Sequence, residues 1–326
     1  MKIKGIVLAI ASALAASPLY ADIFDALPND LVIPNIYNTA AADVLNVQLK
    51  LVLSEGNCEI SDDGVEDYSG CTLEDVNNDT NRKDKFKPEV KVHFQAGDFP
   101  DDGSVSNATL RQRGGYSRFA PQKSYRIKLD SKKKLWRGER KLQVNKHPWD
   151  LVRIRNKLSF DVMKNIPYLP SLDSQFVKLE MDNKNYGIFT HIEKIDKYFL
   201  TKRNWDKDSP IYKIQGFRFN DSSDYAIGAD GQPVNLEEFE KGLEIKRGKN
   251  HAKLAEMIAA VNDPNNNFQT DVLEKHFNRN NYLAWMAVNI LMGNLDVSDF
   301  NVYLLNLKGT DDFYFVPWDY TDTWGF

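Results

Sequence analysis

Cysteine and histidine are both scarce in this chain of 326 residues, which has two Cys and five His. The histidines (His93, His147, His191, His251 and His276) form no H-x-x-x-H pair, which argues against a zincin site. Cys58 and Cys71 are too few for a cysteine-metal site, and the sequence offers no further ligands nearby. No G-x-S-x-G elbow marks a hydrolase nucleophile, and no glycine loop ends in G-K-[ST], so a Walker A loop is missing. Positive charge is not in excess either. The net charge is −4, so no global basic field points to nucleic acid as a partner. Beyond the first twenty or so residues, no run is long and apolar enough to span a membrane. The rest, 42% hydrophobic and 27% charged, is an ordinary folded composition. The length suits one large domain or two ordinary ones.

Residues 1–21 read as an export signal. Lys2 and Lys4 open it, Gly5 to Ala16 is apolar but short, and Ala21 precedes the expected mature start at Asp22. No Cys follows the apolar stretch, so a lipid anchor is not expected. The mature chain is expected in the periplasm or at the cell surface, an oxidising setting in which Cys58 and Cys71 pair. Residues 22–88 read as a β/loop segment held by that disulfide. Within it, Asp75 to Asn81 carries oxygen ligands at alternate positions, as calcium loops do. It lacks the Gly and the final acid of an EF-hand loop, so a solvated loop is the simpler reading and Ca2+ the alternative.

Period-two alternation predicts strands over 46–53, 89–95 and 123–129. In the last of these, Tyr125, Ile127 and Leu129 share one face and Ser124, Arg126 and Lys128 the other. The turn Arg113-Gly114-Gly115-Tyr116-Ser117-Arg118 precedes it. A glycine turn followed by a cationic strand suits phosphate, because Gly lets backbone amides approach an anion and a Lys adds a point charge. A helix is predicted over 149–166, with Leu151, Ile154, Leu158, Val162 and Ile166 on its apolar stripe. A hairpin over 175–192 and a helix over 193–203 follow. Residues 206–242 read as a turn-rich insertion over the cleft. Helices are predicted over 253–261 and 271–292, the second ended by Gly293.

The densest signal lies at the C-terminal end. Asp296 is followed five positions later by Asn301, then by apolar strands over 302–307 and 313–316 around the turn Lys308 to Asp312, and finally by Asp319. Phosphoryl transfer of the protein-kinase kind needs an acid for the acceptor's proton, an amide reaching a metal, and a second acid holding that metal against the phosphates. The two strands bring these groups to one cleft only if they form a hairpin.

In these residues the chain resembles the CotH-type atypical protein kinases. The resemblance runs from Arg113 to Ser117 and Gln122 to Leu129, through Tyr186 to Phe189 and Glu193 to Asp196. It continues through Ile211 to Lys213 and Glu244 to Lys246, and ends with Gly293 to Asp296, Asn301 to Leu304 and Val316 to Asp319. It implies an α+β bilobal kinase-like fold with a β-rich small lobe, 89–192, and a mainly helical large lobe, 193–326. It also implies that Asp296 is the catalytic acid, and that Asn301 and Asp319 are ligands of Mg2+ (or Mn2+). Lys128 or Lys123 would be the cation on the phosphates of ATP, Arg113 a further phosphate contact, and Glu193 a contact to base or ribose at the hinge. The acceptor would be a Ser or Thr hydroxyl of an envelope or surface protein. Members of the family continue with more helix, so a chain stopping at Phe326 reads as truncated. Two other readings stand beside the kinase: a non-catalytic envelope or surface-assembly module on the same fold, and a calcium-dependent matrix protein resting on Asp62 to Asp84.

Overall fold

The first sheet closes on itself because its first strand, Leu45–Val52, pairs with Ser174–Met181 as well as with Val90–Ala96. The computed structural model describes residues 36–37, 44–80, 85–99, 101 and 103–325; the expected signal, 1–21, and residues 81–84 of the acidic loop lie outside them. In β1 (Leu45–Val52), β4 (Val90–Ala96), β5 (Ala108–Arg113), β6 (Ser124–Leu129), β7 (Lys141–Asn145), β8 (Ser174–Met181) and β9 (Lys184–Ile192), the inward residues are mostly aliphatic or aromatic. These seven strands form a closed barrel in the order β1-β4-β5-β6-β7-β9-β8, with β1 running parallel to β8. Val92, Phe94, Leu110, Ile127, Leu142 and Val177 fill it, each buried completely. Closure leaves the barrel without free edges.

Between β1 and β4 lies the disulfide-bearing segment. Cys58 and Cys71 are joined at 2.01 Å and flank a small hairpin, β2 (Glu59–Ile60) with β3 (Glu66–Asp67). A short helix, α1 (Leu73–Asn78), follows. Thr72 caps it in a reciprocal box with Asp75, whose Oδ2 accepts from the Thr72 amide at 2.8 Å. Val76 of this helix is fully buried among the barrel residues.

The second half mixes helices with a four-stranded sheet. α2 (Arg155–Met163) follows the barrel strand β7, α3 (Lys197–Lys202) follows β9, and β10 (Ile211–Ile214) comes next. Then come α4 (Leu236–Gly242), β11 (Leu243–Arg247), α5 (Ala252–Asn262), a π-helical turn Phe268–Leu273, α6 (Glu274–His276) and α7 (Arg279–Met292). β12 (Val302–Asn306) and β13 (Phe313–Pro317) form the expected hairpin, and the sheet order is β11-β10-β12-β13. The protein is thus mixed α+β. Among the described residues no helix is long and apolar enough to cross a membrane.

Four local expectations differ from the structure. Residues 75–78, read as part of a solvated or calcium-binding loop, belong to α1, where Asp75 is used in the Thr72 cap and Val76 is buried. The helix expected over 149–166 starts only at Arg155, and its apolar stripe is not its buried face. Leu151 is 93% exposed, with Ile154 and Leu158 also exposed, while Asn156, Ser159, Phe160 and Met163 are buried. The reason is the partner: this helix packs on the polar C-terminal turn, where Trp324 Nε1 donates to Ser159 Oγ at 2.9 Å and Phe160 meets Tyr320 edge-on. The helix expected over 271–292 is interrupted at Phe277, which bridges to Phe313, and Asn278 restarts it by accepting from the Asn281 amide at 2.9 Å. Residues 206–242, expected as an insertion, contain β10, a central strand paired with both β11 and β12.

Candidate active site

Strand register decides where the C-terminal polar residues go. Val302 pairs with Pro317, so Asn301 just before β12 and Asp319 just after β13 leave the hairpin at the same end. Both adopt the left-handed backbone region, each with φ of 55°, which Asn and Asp tolerate better than other non-glycine residues. Asp296 arrives from α7. That helix is fixed by Asn281, which accepts from the Phe315 amide at 2.6 Å and donates to its carbonyl at 3.1 Å. It ends at Gly293, φ 63°, a conformation suited to glycine. Buried Asn294 then bonds back to Asn289 at 3.2 Å and accepts from the Asp296 amide at 3.3 Å, steering the chain toward the hairpin.

These residues line one cleft of about 530 Å3. Asn301 Nδ2 donates to Asp296 Oδ2 at 2.5 Å, leaving the amide oxygen for another partner. Asp319 Oδ1 accepts from Thr321 Oγ1 at 2.9 Å and from Asn156 Nδ2 at 3.4 Å, while Asn156 Oδ1 takes the Tyr320 amide at 3.2 Å. Asn156 therefore braces the turn that carries Asp319. The opposite wall comes from the barrel: Arg113 at the end of β5, the turn Gly114 to Arg118, Ser124 and Asn145. Lys213 on β10, paired with Tyr303 of β12, adds a third cation to the lining, after Arg113 and Arg118.

The electrostatics divide the cleft. Burial, then the neighbouring Asp322 and Asp319, push the Asp296 carboxyl above the usual range. Burial and Asp319 do the same to Asp322. Burial lowers Arg113 to about 10 against the opposing pull of Asp319. Burial and Lys246 also lower Lys213, opposed by Glu244 and Asp319. His147, on the same lining, is lowered to about 4 by burial, so it is neutral at physiological pH, and its buried Nε2 has no hydrogen-bond partner among the described residues. A cluster of mutually repelling carboxylates suits a cation, and the cationic wall facing it suits an anion. Among the described residues no three His, Cys, Asp or Glu side chains converge to hold a metal by themselves. A divalent ion here would rest on Asp319 and Asn301 and share its remaining positions with ligand oxygens, as Mg2+ does at nucleotide sites.

The sequence expectations sort by place. Asp296, Asn301, Asp319 and Arg113 meet at the cleft. Lys123, Lys128 and Glu193 do not line it. Lys123 Nζ donates to the Arg118 carbonyl at 2.7 Å, supporting the glycine turn from behind. Lys128 lies on the outer face of β6, its strand neighbours Thr109 and Lys141. Glu193 is fully buried in a salt bridge with Arg203, 2.9 Å, and accepts from the Asp173 amide at 3.1 Å. Lys213, Asn156 and His147 line the cleft without having been expected there; of these Lys213 adds charge. Its signal was the short apolar run Ile211 to Ile214, hidden inside a turn-rich segment.

A family model described as CotH kinase protein matches residues 110–326. Inner spore coat protein H of Bacillus subtilis (strain 168) is 31% identical over 219 residues, which are 66% of this chain and 58% of the relative. The match thus spans somewhat more than half of that relative's length.

Proposed function

The chain belongs to the CotH kinase family, and on that premise we propose that it is an exported protein kinase transferring the γ-phosphate of ATP to a Ser or Thr hydroxyl. The observation that carries this reading is the meeting of Asp296, Asn301 and Asp319 with Arg113 and Lys213 around one cleft. In the bilobal sense, the barrel acts as the small lobe and the helices with the second sheet as the large lobe. Arg113, Lys213 and the glycine turn bind and orient the phosphates. Asp319 and Asn301 hold Mg2+ or Mn2+, which when bound neutralises charge on the β- and γ-phosphates. Asp296, which lines the cleft while keeping an edge open to solvent, and whose carboxyl partial burial pushes upward, takes the acceptor's proton. The acceptor oxygen forms the new bond to phosphorus, the bond from phosphorus to the bridging oxygen breaks, and ADP leaves. Most of the barrier reduction is positioning and charge stabilisation.

The signal-like residues 1–21 and the relative's name as a spore coat protein support an acceptor at the cell surface or envelope. That same name favours a second reading, an assembly module that keeps the fold without chemistry. Transfer of labelled phosphate to envelope proteins separates the two. On the kinase reading, Asp296→Asn abolishes transfer while sparing nucleotide binding, and Asp319→Asn abolishes both. Asn is the right replacement at 319 because it tolerates the left-handed backbone there. Transfer undiminished in both variants would sink the kinase reading.

A further inference from the structure

The glycine turn of the cleft is held by a residue outside the family-matched region. Gly114 has φ of 106°, and a Cβ built there would meet Ser117 Oγ at 1.9 Å, so the turn is tight and admits little else. Arg118 ties it down. Its Nε donates to the Gly114 carbonyl at 2.9 Å and its Nη2 to the Gln112 carbonyl at 3.3 Å. Its Nη1 donates to Asp79 Oδ2 at 2.5 Å and to the Asp79 carbonyl at 3.1 Å. Both side chains are nearly closed to solvent, 8% exposed for Arg118 and 6% for Asp79, so this charge-assisted pair is little screened. Asp79 is itself fixed. It ends α1, whose Val76 is buried with the barrel core and whose Asn77 accepts from Tyr125 of β6 at 2.8 Å.

We propose that Asp79 is a positioning residue for the cleft: by anchoring Arg118 it sets the shape of the glycine turn, and so the site for the nucleotide's phosphates. The phosphate part rests on the function proposed above; the anchoring part does not. The segment stapled by Cys58 and Cys71 thereby contributes to ligand binding from 34 positions before the turn's Arg113, as counted along the sequence.

The test uses the full oxidised chain and Asp79→Asn, with Asp79→Glu as the charge-conserving control. Deuterium uptake is followed over 110–120, where the Arg118 and Ala120 amides bond to Gly115 and Ser117. Kinetics with Mg-ATP run in parallel. Asp79→Asn should raise KM for ATP about tenfold with kcat little changed. It should speed uptake in the turn and not in β6, and Asp79→Glu should recover part of both. Unchanged uptake in the turn would overturn the proposal, as would a fall in kcat at unchanged KM with a general loss of protection. If the parent chain transfers no phosphate, the kinase reading fails separately and uptake in the turn alone decides. Should Asp79→Asn not fold, Arg118→Lys, which keeps the charge but loses the fork, gives the same readings.

Discussion

Replacing Glu193 by Gln tests whether this carboxylate serves the fold or the ligand. Glu193 is fully buried and accepts from Arg203 Nη1 at 3.1 Å, Arg203 Nη2 at 2.9 Å and the Asp173 amide at 3.1 Å, with Lys202 at 3.3 Å. The amide leaves the Arg203 guanidinium, also fully buried, without its counter-ion. Breaking one side of such a pair costs about 3–5 kcal/mol. At roughly 2.1 cal/mol/K of unfolding entropy per residue, a folded body of this size loses about 1.5 °C per kcal/mol, so melting should fall by about 4–8 °C. Removing both partners, Glu193→Gln with Arg203→Met, should recover part of the loss, since no orphaned charge then remains. The pH dependence gives a second signature. Burial alone would raise the Glu193 carboxyl, yet Arg203 and Lys202 hold it below its ordinary value of 4.5. Its contribution is therefore complete above that range and drains as pH falls through the lowered value, and the Gln variant should lack that drain. Scanning calorimetry across pH reads both. Melting within about 1 °C of the parent, combined with loss of nucleotide binding, would refute the reasoning and put Glu193 against the ligand.

Lys213→Met should weaken Mg-ATP binding about tenfold or more while leaving the melting temperature level or higher, because a desolvated ammonium is removed from a largely enclosed site; unaltered affinity by calorimetry would remove Lys213 from the phosphate site. His191 is fully buried, 3.4 Å from Glu139, and burial lowers it to about 4 against the opposing pull of Asp173, with Arg137 and Lys202 lowering it further and Glu193 opposing. As pH falls, the unfolded chain takes the proton at about 6.5 and the folded chain only near 4, so stability should drain by about 3 kcal/mol over that window, at 1.36 kcal/mol per unit. Glu139, 3.4 Å away, has its carboxyl raised by burial and opposes this drain. His191→Gln should flatten urea-denaturation stability over this window, and an unchanged slope would contradict the buried neutral imidazole.

Much of the fold was legible where one face of an element meets the core and the other meets water. The strands β1, β4 and β6 announce themselves by alternation, the hairpin β12–β13 by two continuous apolar runs around a polar turn, all ten of whose strand residues are buried, and Gly293 by its place after an apolar helix. What one sequence does not carry is pairing between distant elements. Nothing in Leu45–Val52 says that it closes a barrel by lying parallel to β8. The stripe Leu151, Ile154 and Leu158 misleads because that helix buries its polar side against Tyr320, Thr323 and Trp324. At the site, the short-range set Asp296, Asn301 and Asp319 could be read because one hairpin brings it together. The cations could not be assigned by spacing. Lys123 and Lys128 lie on or beside the expected strand but do not line the cleft, whereas Lys213 lines it from a strand more than eighty residues before Asp296, as counted along the sequence.

Calorimetric titration of ATP into the full chain, with and without Mg2+, tests the central claim most directly. The account predicts binding that needs the metal, persists in Asp296→Asn, and is lost in Asp319→Asn, which removes the one carboxylate assigned to the metal. Binding of equal strength without metal, or unchanged in Asp319→Asn, would contradict it.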